Sequence, residues 1–288
     1  MKETFLLTAM RSAAKRIPLG LGLALAAAIL HLNATAQDVN LGTANSFAVL
    51  ANSTITFDGS GNTVSGDVGL YSGTSITGLA SVTLAGTVHQ TDAVAMNAQS
   101  DLTTAYNHAL GLSSTDLSSY LNGAYELGNL TLTPGVYSFD SQVVLTGTLT
   151  LNNEGNPDAV FVFKVGTALT TDSGSSVVEE ENGLGDIPPN PGISVFWQVG
   201  SSATLGGSDF VGNVLANQSI TVGTGVTVDG RVLAENAAVT LDGSDTIIAP
   251  PAEPQVSEVP DTGSTLLLLG SGLAALSAFG RRFSVLLR

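Results

Sequence analysis

Between Val195 and Ile247 the chain reads as three copies of one hydrophobic pattern: VFWQVGSSATLGGSDF, then VGNVLANQSITVGTGVTV, then DGRVLAENAAVTLDGSDTI. Asn213-Val214-Leu215-Ala216 returns 18 residues later as Arg231-Val232-Leu233-Ala234. Each copy holds three short alternating segments separated by Gly or Asn, too short for helices and too regular for loops. The N-terminal part follows the same rule, with FAVLANSTITFDGSGNTV, SGDVGLYSGTSITGLASV and TLAGTVHQ. Three strands and three corners per turn predict a mainly β chain, a β-solenoid whose rungs stack around one narrow core. Alternation sends Val214, Ile220, Val222, Val226 and Val228 of one rung inward, and Val232, Val239, Leu241 and Ile247 of the next. Thr221, Thr227 and Thr240 then point outward. LTLTPGVYSF, VVLTGTLTL and AVFVFKVGTALT supply further strands.

One segment departs from this period. After Thr91, the expected N-cap, the residues Val94, Ala98, Leu102, Ala105 and Ala109 recur at spacings of three and four. That spacing predicts an amphipathic α-helix over 92–110, lying as a buttress along one side of the solenoid. Residues 113–127 read as a small irregular cap. Residues 172–192, with Glu179-Glu180-Glu181 and Pro188-Pro189, read as an exposed loop.

The two ends read as addresses. Residues 1–36 carry Lys2, Arg11, Lys15 and Arg16, then an apolar run from Ile17 to Leu32, then Ala34-Thr35-Ala36 before Gln37. This is the pattern of a secretory signal peptide with a small-x-small cleavage site, and its apolar run is shorter than the ~20 residues a spanning helix needs. A domain over 37–249 follows, then a Pro-rich linker over 250–258 and a C-terminal segment over 259–288. That segment runs Val259-Pro260-Asp261-Thr262-Gly263, an apolar stretch from Leu266 to Phe279, and Arg281-Arg282. Physically it is a marginal transmembrane helix whose cations stay on the cytoplasmic side. The three parts in this order resemble the PEP-CTERM class of bacterial sorting signals, in the variant reading V-P-D-x-G. The resemblance implies transient inner-membrane association and removal by an exosortase-type sorting protease, in a bacterium with an outer membrane. The expected destination is secretion or the cell surface.

Charge narrows the partners. Between residues 37 and 258 the only Lys and Arg are Lys164 and Arg231, against 22 Asp and Glu. A polyanion of this kind cannot neutralise phosphates, which excludes nucleic acid and anionic membrane surfaces as partners. With no cysteine, disulfides, thiolate metal sites and cysteine nucleophiles are impossible. A mean hydropathy of +0.32 is too high for a disordered acidic chain, so packing must supply the stability.

Catalytic chemistry finds no foothold. His89 and His108 have no sequence-local nucleophile or ligand set, and His31 lies in the leader. The Glu179–Glu181 run reads as a solvated charge cluster, and its spacing fits no EF-hand loop. A lyase acting on acidic sugars needs cations near its substrate, and a hydrolase needs carboxylates facing each other across a cleft. Between residues 37 and 258 Lys164 and Arg231 are the only Lys and Arg to offer, and the single tryptophan, Trp197, belongs to no aromatic stripe for sugar stacking. No catalytic residue, cofactor or metal is assigned, and the chain reads as a binding module.

Threonine is what the surface offers. Thr54-Ile55-Thr56, Thr74-Ser75-Ile76-Thr77, Thr167-Ala168-Leu169-Thr170 and Thr224-Gly225-Val226-Thr227 recur on successive rungs. A β-branched side chain with restricted χ1 holds its hydroxyl and methyl in place, and stacked rungs repeat those groups at the interstrand spacing. A flat, uncharged lattice of this kind can order water in register with a crystal. Threonine also suits strands for purely structural reasons.

LGTANSFAVLANSTIT, SGDVGLYSGTSITG, TDAVAMNAQSDLTTAY, LTPGVYSF, LTGTLTL, VFWQVGSSATLG and GNVLANQSITV through GRVLAENAAVTLD together resemble the secreted microbial ice-binding (antifreeze) protein family. The match runs from Leu41 to Ile248. It implies an irregular, triangular β-helix with a long α-helix packed alongside, and N-terminal coils lying beside C-terminal ones out of chain order. It also implies ice as the partner, bound by rows of T-A/G-x-T/N. The matching positions give Ser60, Thr63, Ser81, Thr83, Ser208, Thr224, Thr227, Ser244 and Thr246 as the expected ice-binding residues. Asp209 and Asp245 depart from the pattern, and their replacement by Thr is expected to extend the array. A competing face carries Thr204, Thr221 and Thr240. The alternative function is cell-surface adhesion or matrix building on the same scaffold without ice affinity.

Overall fold

The computed structural model describes residues 39–118, 121, 125–180 and 194–251. The expected signal peptide, Glu181, Pro188-Pro189, and the expected linker and sorting segment beyond Pro251 lie outside the described residues. Strands wind repeatedly through three parallel sheets that enclose one core. Sheet A orders as Val88–Gln90, Asp67–Leu70, Phe47–Ala51, Val232–Ala234, Asn213–Ala216, Ser194–Val199, Val160–Val165, Gly135–Phe139 and Thr115–Asp116. Sheet B orders as Val143–Leu145, Leu169–Thr171, Ala203–Leu205, Ile220–Val222, Val239–Leu241, Thr54–Phe57 and Ser75–Thr77. Sheet C orders as Thr83–Ala85, Thr63–Ser65, Thr246–Ile248, Thr227–Asp229, Asp209–Val211, Ser176–Glu180, Thr148–Asn152 and Thr131–Leu132. Chain order therefore breaks at one place in each sheet. Phe47–Ala51 docks on Val232–Ala234, Thr54–Phe57 on Val239–Leu241, and Thr63–Ser65 on Thr246–Ile248.

The three sheets differ in what covers them, and the sequence shows it. Strands of sheets B and C alternate buried and part-exposed residues, as in Ile220-Thr221-Val222 and Val239-Thr240-Leu241, because one side meets the core and the other water. The inner strands of sheet A are mostly apolar on both sides, and Phe47–Ala51 and Asn213–Ala216 are buried at every position. Their second side is covered by the helix α1, Ala93–Gly111. Phe47, Leu50, Val162, Phe196, Leu215 and Leu233 meet Ala98, Leu102, Ala105 and Ala109 there, so the sheet reads as a continuous hydrophobic run. On the inner side Phe163 stacks on Trp197 with ring centroids 4.0 Å apart, flanked by Tyr137 and Phe210. Trp197 is thus a core residue rather than a surface for sugar stacking.

The helix occupies nearly the expected span with a different cap. Asp92 is the N-cap, its Oδ1 accepting from the Ala95 amide at 2.8 Å, while Thr91 sits one step earlier at φ 55°. Its carboxylate also meets His89 Nδ1 at 2.8 Å, so the histidine supports a helix end. Ala95, Gln99 and Tyr106 join the buried stripe, whereas Val94 is 45% exposed. The expected loop over 172–192 is corrected in its first part, because Ser176–Glu180 is a strand of sheet C with Val177 and Glu179 buried. Val177 and Glu179 turn inward with Val178 facing the other way between them, and the charge run concealed that alternation. In the region after α1, expected as a small irregular cap, Thr115–Asp116 pairs with Gly135–Phe139 at the edge of sheet A, and Glu126 bridges Val144.

Glycine at the corner between sheets C and A explains the recurring G-D-V-G and G-R-V-L-A segments. Gly230 has φ 149°, and a Cβ there would run into the Gly212 carbonyl of the adjacent rung. Only a residue without a side chain lets successive corners stack this closely.

Candidate functional site

Sheet A is closed off by α1, so sheets B and C are the surfaces the solenoid leaves to solvent. On sheet B the outward central residues of successive strands are Thr77, Thr56, Thr240, Thr221, Thr204 and Thr170, each paired directly with the next. Val144 follows Thr170 at the end of the row. Six threonines without a break span about 24 Å at the ~4.8 Å interstrand spacing. Beside this row lie Ser75 and Thr54, which pair, and one residue before the inward position of each further strand, Ala238, Ser219, Ser202 and Ala168. The ladder continues through them, with Ile220 N donating to Ala238 O and Ala203 N to Ser219 O. Both rows are uncharged, and every second-row side chain is small. The face is therefore regular along the stacking axis and low in relief.

Sheet C carries a shorter ladder. Thr83, Thr63, Thr246 and Thr227 pair in sequence, and the row continues as Asp209, Ser176 and Thr148. Its neighbouring row runs Ala85, Ser65, Ile248, Asp229 and Val211. Carboxylates at Asp209 and Asp229 and the protruding Ile248, 41% exposed, make this face uneven in charge and height.

The expected ice-binding residues thus divide. Thr63, Thr83, Thr227 and Thr246 share the sheet C ladder, while Ser60, Ser81, Ser208, Thr224 and Ser244 lie before the strands, at the corner between sheets B and C. Thr224 turns its hydroxyl to the Asp242 carbonyl at 3.4 Å. The competing residues Thr204, Thr221 and Thr240 are joined by Thr56, Thr77 and Thr170, whose Thr-containing strand motifs are visible in the sequence but whose shared row is not. Out-of-order docking of Thr54–Phe57 on Val239–Leu241 is what brings them together.

Asp245 is corrected outright. Its side chain points into the fold and is 0% exposed. The carboxylate accepts from the Val226 and Gly243 amides, both at 3.1 Å, and Asn62 in the next rung accepts from the Asp245 amide. Asp245→Thr therefore removes the acceptor of two buried amides instead of extending a surface array. We expect it to cost about 2–4 kcal/mol, read as a fall in melting temperature of about 5–10 °C. Asp209 is exposed and does lie in the sheet C row.

Burial pushes the carboxyls of Asp229 and Asp245 above the ordinary 3.8. The folded state then holds more protons than the unfolded one between 3.8 and the raised values, so stability falls as pH rises through that window. Asp92 is shifted the other way, chiefly by the Ala95 amide, and its contribution is lost only on acidification below 3.8. We expect the melting temperature to rise as the pH is lowered toward 3.8 from above the raised carboxyl values, and Asp229→Asn to flatten that rise in a calorimetric pH series.

The two cations are structural. Lys164 Nζ donates to the Leu112 carbonyl at 2.7 Å, just beyond the helix. Arg231 is buried at the corner between sheets C and A. Its guanidinium donates to Asn45 O, Pro250 O and Asn213 Oδ1 at 2.7–3.0 Å. Burial lowers its pKa to about 10, so it remains charged at neutral pH. Among the described residues no group of three or more His, Asp or Glu is placed to hold a metal ion, and no helix is long and apolar enough to cross a membrane.

Residues 49–247 match the family described as Ice-binding-like, and residues 258–283 match the VPDSG-CTERM motif. The chain is 48% identical over 247 residues to an ice-binding protein of Nostoc sp. (strain HG1), covering 84% of this chain and 87% of that one. Among solved structures, an ice binding protein from an Antarctic biological consortium superposes with a TM-score of 0.66 at 39% identity, over 75% of this chain and 94% of the other. The ice-binding protein of the ascomycete Antarctomyces psychrotrophicus gives 0.65 at 38% identity, over 74% and 99%. The parallel three-sided solenoid, the helix along sheet A and the match over 49–247 agree, and the chain belongs to the ice-binding-like family.

Proposed function

We propose that the protein binds ice through sheet B, as a non-enzymatic, exported module that needs no cofactor. The observation that carries this is the unbroken row Thr77, Thr56, Thr240, Thr221, Thr204 and Thr170. Ice offers a periodic array of water and no charge, so its ligand must supply periodic hydroxyls and methyls at fixed height. Restricted χ1 torsions hold the threonines still before binding, which reduces the ordering cost of association. The small second row keeps neighbouring rungs from holding the surface off the crystal. Relatives named as ice-binding proteins support the choice of ligand. The shorter threonine run Thr83, Thr63, Thr246 and Thr227 on sheet C, of whose segments only Thr224-Gly225-Val226-Thr227 fits the T-A/G-x-T/N pattern fully, is the second candidate face, with Asp209 and Asp229 weighing against it. Residues 1–36 serve as the export leader, 37–249 as the binding domain, 250–258 as the linker, and 259–288 as the sorting segment, acted on by an exosortase-type protease at the inner membrane. A single ice crystal grown in the purified protein tests the ligand. Facets are expected, and a rounded disc indistinguishable from buffer would favour adhesion or matrix building without ice affinity.

A further inference from the structure

The two ends of the solenoid are finished differently. At one end Val143–Leu145 and Thr131–Leu132 are the outermost strands of sheets B and C. Residues from the stretch between α1 and Gly135 join the core there, and Leu117, Leu127, Val143 and Leu145 are all buried. The other end is the coil Tyr71–Gln90, whose strands Ser75–Thr77, Thr83–Ala85 and Val88–Gln90 are the outermost of sheets B, C and A. Its inward residues Ile76, Leu79, Val82, Leu84 and Val88 pack on the core yet stay part-exposed, whereas Ile55, Phe57, Val64, Val68 and Leu70 of the coil beneath are buried. After Gln90 the chain enters α1, which runs back along sheet A, so no described segment crosses this end. Each outermost strand also turns every second N–H and C=O off the stack, where an edge strand can take another.

Charge and shape decide which partner fits. From Tyr71 to Gln90 there is no Asp, Glu, Lys or Arg, in a chain of net charge −15. Asp67 of the coil beneath accepts from the Thr87 amide at 2.8 Å, and Asp92, just beyond the coil, is engaged by the Ala95 amide and His89. A second copy can therefore approach this end without opposing acid to acid, whereas the closed end carries Asp116 and Glu126 at its edge. A partner of another fold would meet one edge strand. The same end of a second copy offers three, on the sides of a matching triangle. We propose that the coil Tyr71–Gln90 is a self-association surface through which two copies of the chain join head to head. A twofold axis across the solenoid sets the apposed edge strands antiparallel and covers the five part-exposed residues, and it closes the assembly at two because each chain has one open end. The coil's 20 residues reach the roughly 20–30 a side of a standard interface, and a face without charged anchors fits the micromolar end of the affinities such areas give. Pairing uses backbone edges and inward side chains, so it does not depend on what sheet B binds.

Sedimentation equilibrium of the exported protein over about 1–500 µM, a range that brackets micromolar association, tests this with wild type, Leu84→Lys, Ala80→Glu and, at the closed end, Thr131→Lys. Leu84→Lys sets an ammonium in the apolar contact, and Ala80→Glu adds a charge at an exposed position of the same coil without removing any packing. Wild type and Thr131→Lys are expected to pass from monomer to dimer with the same Kd. Leu84→Lys and Ala80→Glu should weaken the dimer by more than about tenfold, since an unpaired charge is buried against its copy, with their circular dichroism unchanged. Should Leu84→Lys lose the folded spectrum, Ala80→Glu alone decides. The proposal is overturned by a wild type that stays monomeric to the top of the range, by species that grow beyond the dimer, which would mean head-to-tail stacking, by a Kd that neither end-coil substitution changes, or by a dimer lost in Thr131→Lys.

Discussion

Thr221→Tyr is expected to abolish most ice activity while leaving the fold intact. Thr221 sits near the middle of the sheet B row, paired with Thr240 on one side and Thr204 on the other. A phenol ring there stands above the methyls and hydroxyls of both neighbours and holds several rungs off the crystal at once, so the loss is larger than one residue's contacts. We expect thermal hysteresis at a given concentration to fall by more than about tenfold, equivalent to at least ~1.4 kcal/mol of binding. The inward partners Ile220 and Val222 are buried and untouched, and tyrosine suits a half-exposed strand position. Stability should then change by no more than the ~0.5 kcal/mol typical of surface substitutions, about 1–2 °C in melting temperature. Thr227→Tyr on sheet C is the matched control and should retain activity.

Arg231→Ala should have the largest effect on stability. The guanidinium satisfies three acceptors on three separate stretches of chain, the buried Asn213 Oδ1 and the part-buried Asn45 O and Pro250 O. Asn213 itself passes a bond on to Val195 O at 3.1 Å. Truncation leaves these acceptors facing a cavity and releases the seam where the N-terminal coils dock on C-terminal ones. A cost of about 3–5 kcal/mol is expected, since charge-assisted buried bonds are lost and their partners are stranded. In a domain of this size that corresponds to about 10 °C in melting temperature by calorimetry. Arg231→Lys should recover only part of it, because one ammonium cannot match the fork that reaches all three acceptors.

Much of the fold was legible in the residues because each rung restates the same alternation. Val214, Ile220, Val222, Val226 and Val228 are all buried in one rung, and Val232, Val239, Leu241 and Ile247 in the next. The helix was legible from its spacing, but its cap was not, since Thr91 and Asp92 are both good N-cap residues and only backbone geometry decides between them. The strand Ser176–Glu180 was hidden because a glutamate run carries a strong solvent signal, even where one member, Glu179, is turned inward. The site was harder to read. A motif such as Thr224-Gly225-Val226-Thr227 spans a corner, so its two threonines do not share a row. Asp245 looked like a surface charge because it neighbours exposed Ser244 and part-exposed Thr246 in sequence, yet strand alternation points it inward. Six threonines on sheet B come from strands as far apart in sequence as Thr54–Phe57 and Val239–Leu241, and only the out-of-order docking places them in one line. Local periodicity carries the rungs, whereas the face is a product of rung order.

The most direct test of sheet B as the ice-binding face is adsorption of fluorescently labelled protein to a single-crystal ice hemisphere, comparing wild type, Thr221→Tyr and Thr227→Tyr at equal concentration. Wild type and Thr227→Tyr should light the same planes of the hemisphere, and Thr221→Tyr should leave it dark. A hemisphere lit by Thr221→Tyr and dark with Thr227→Tyr would contradict the assignment and move the site to sheet C.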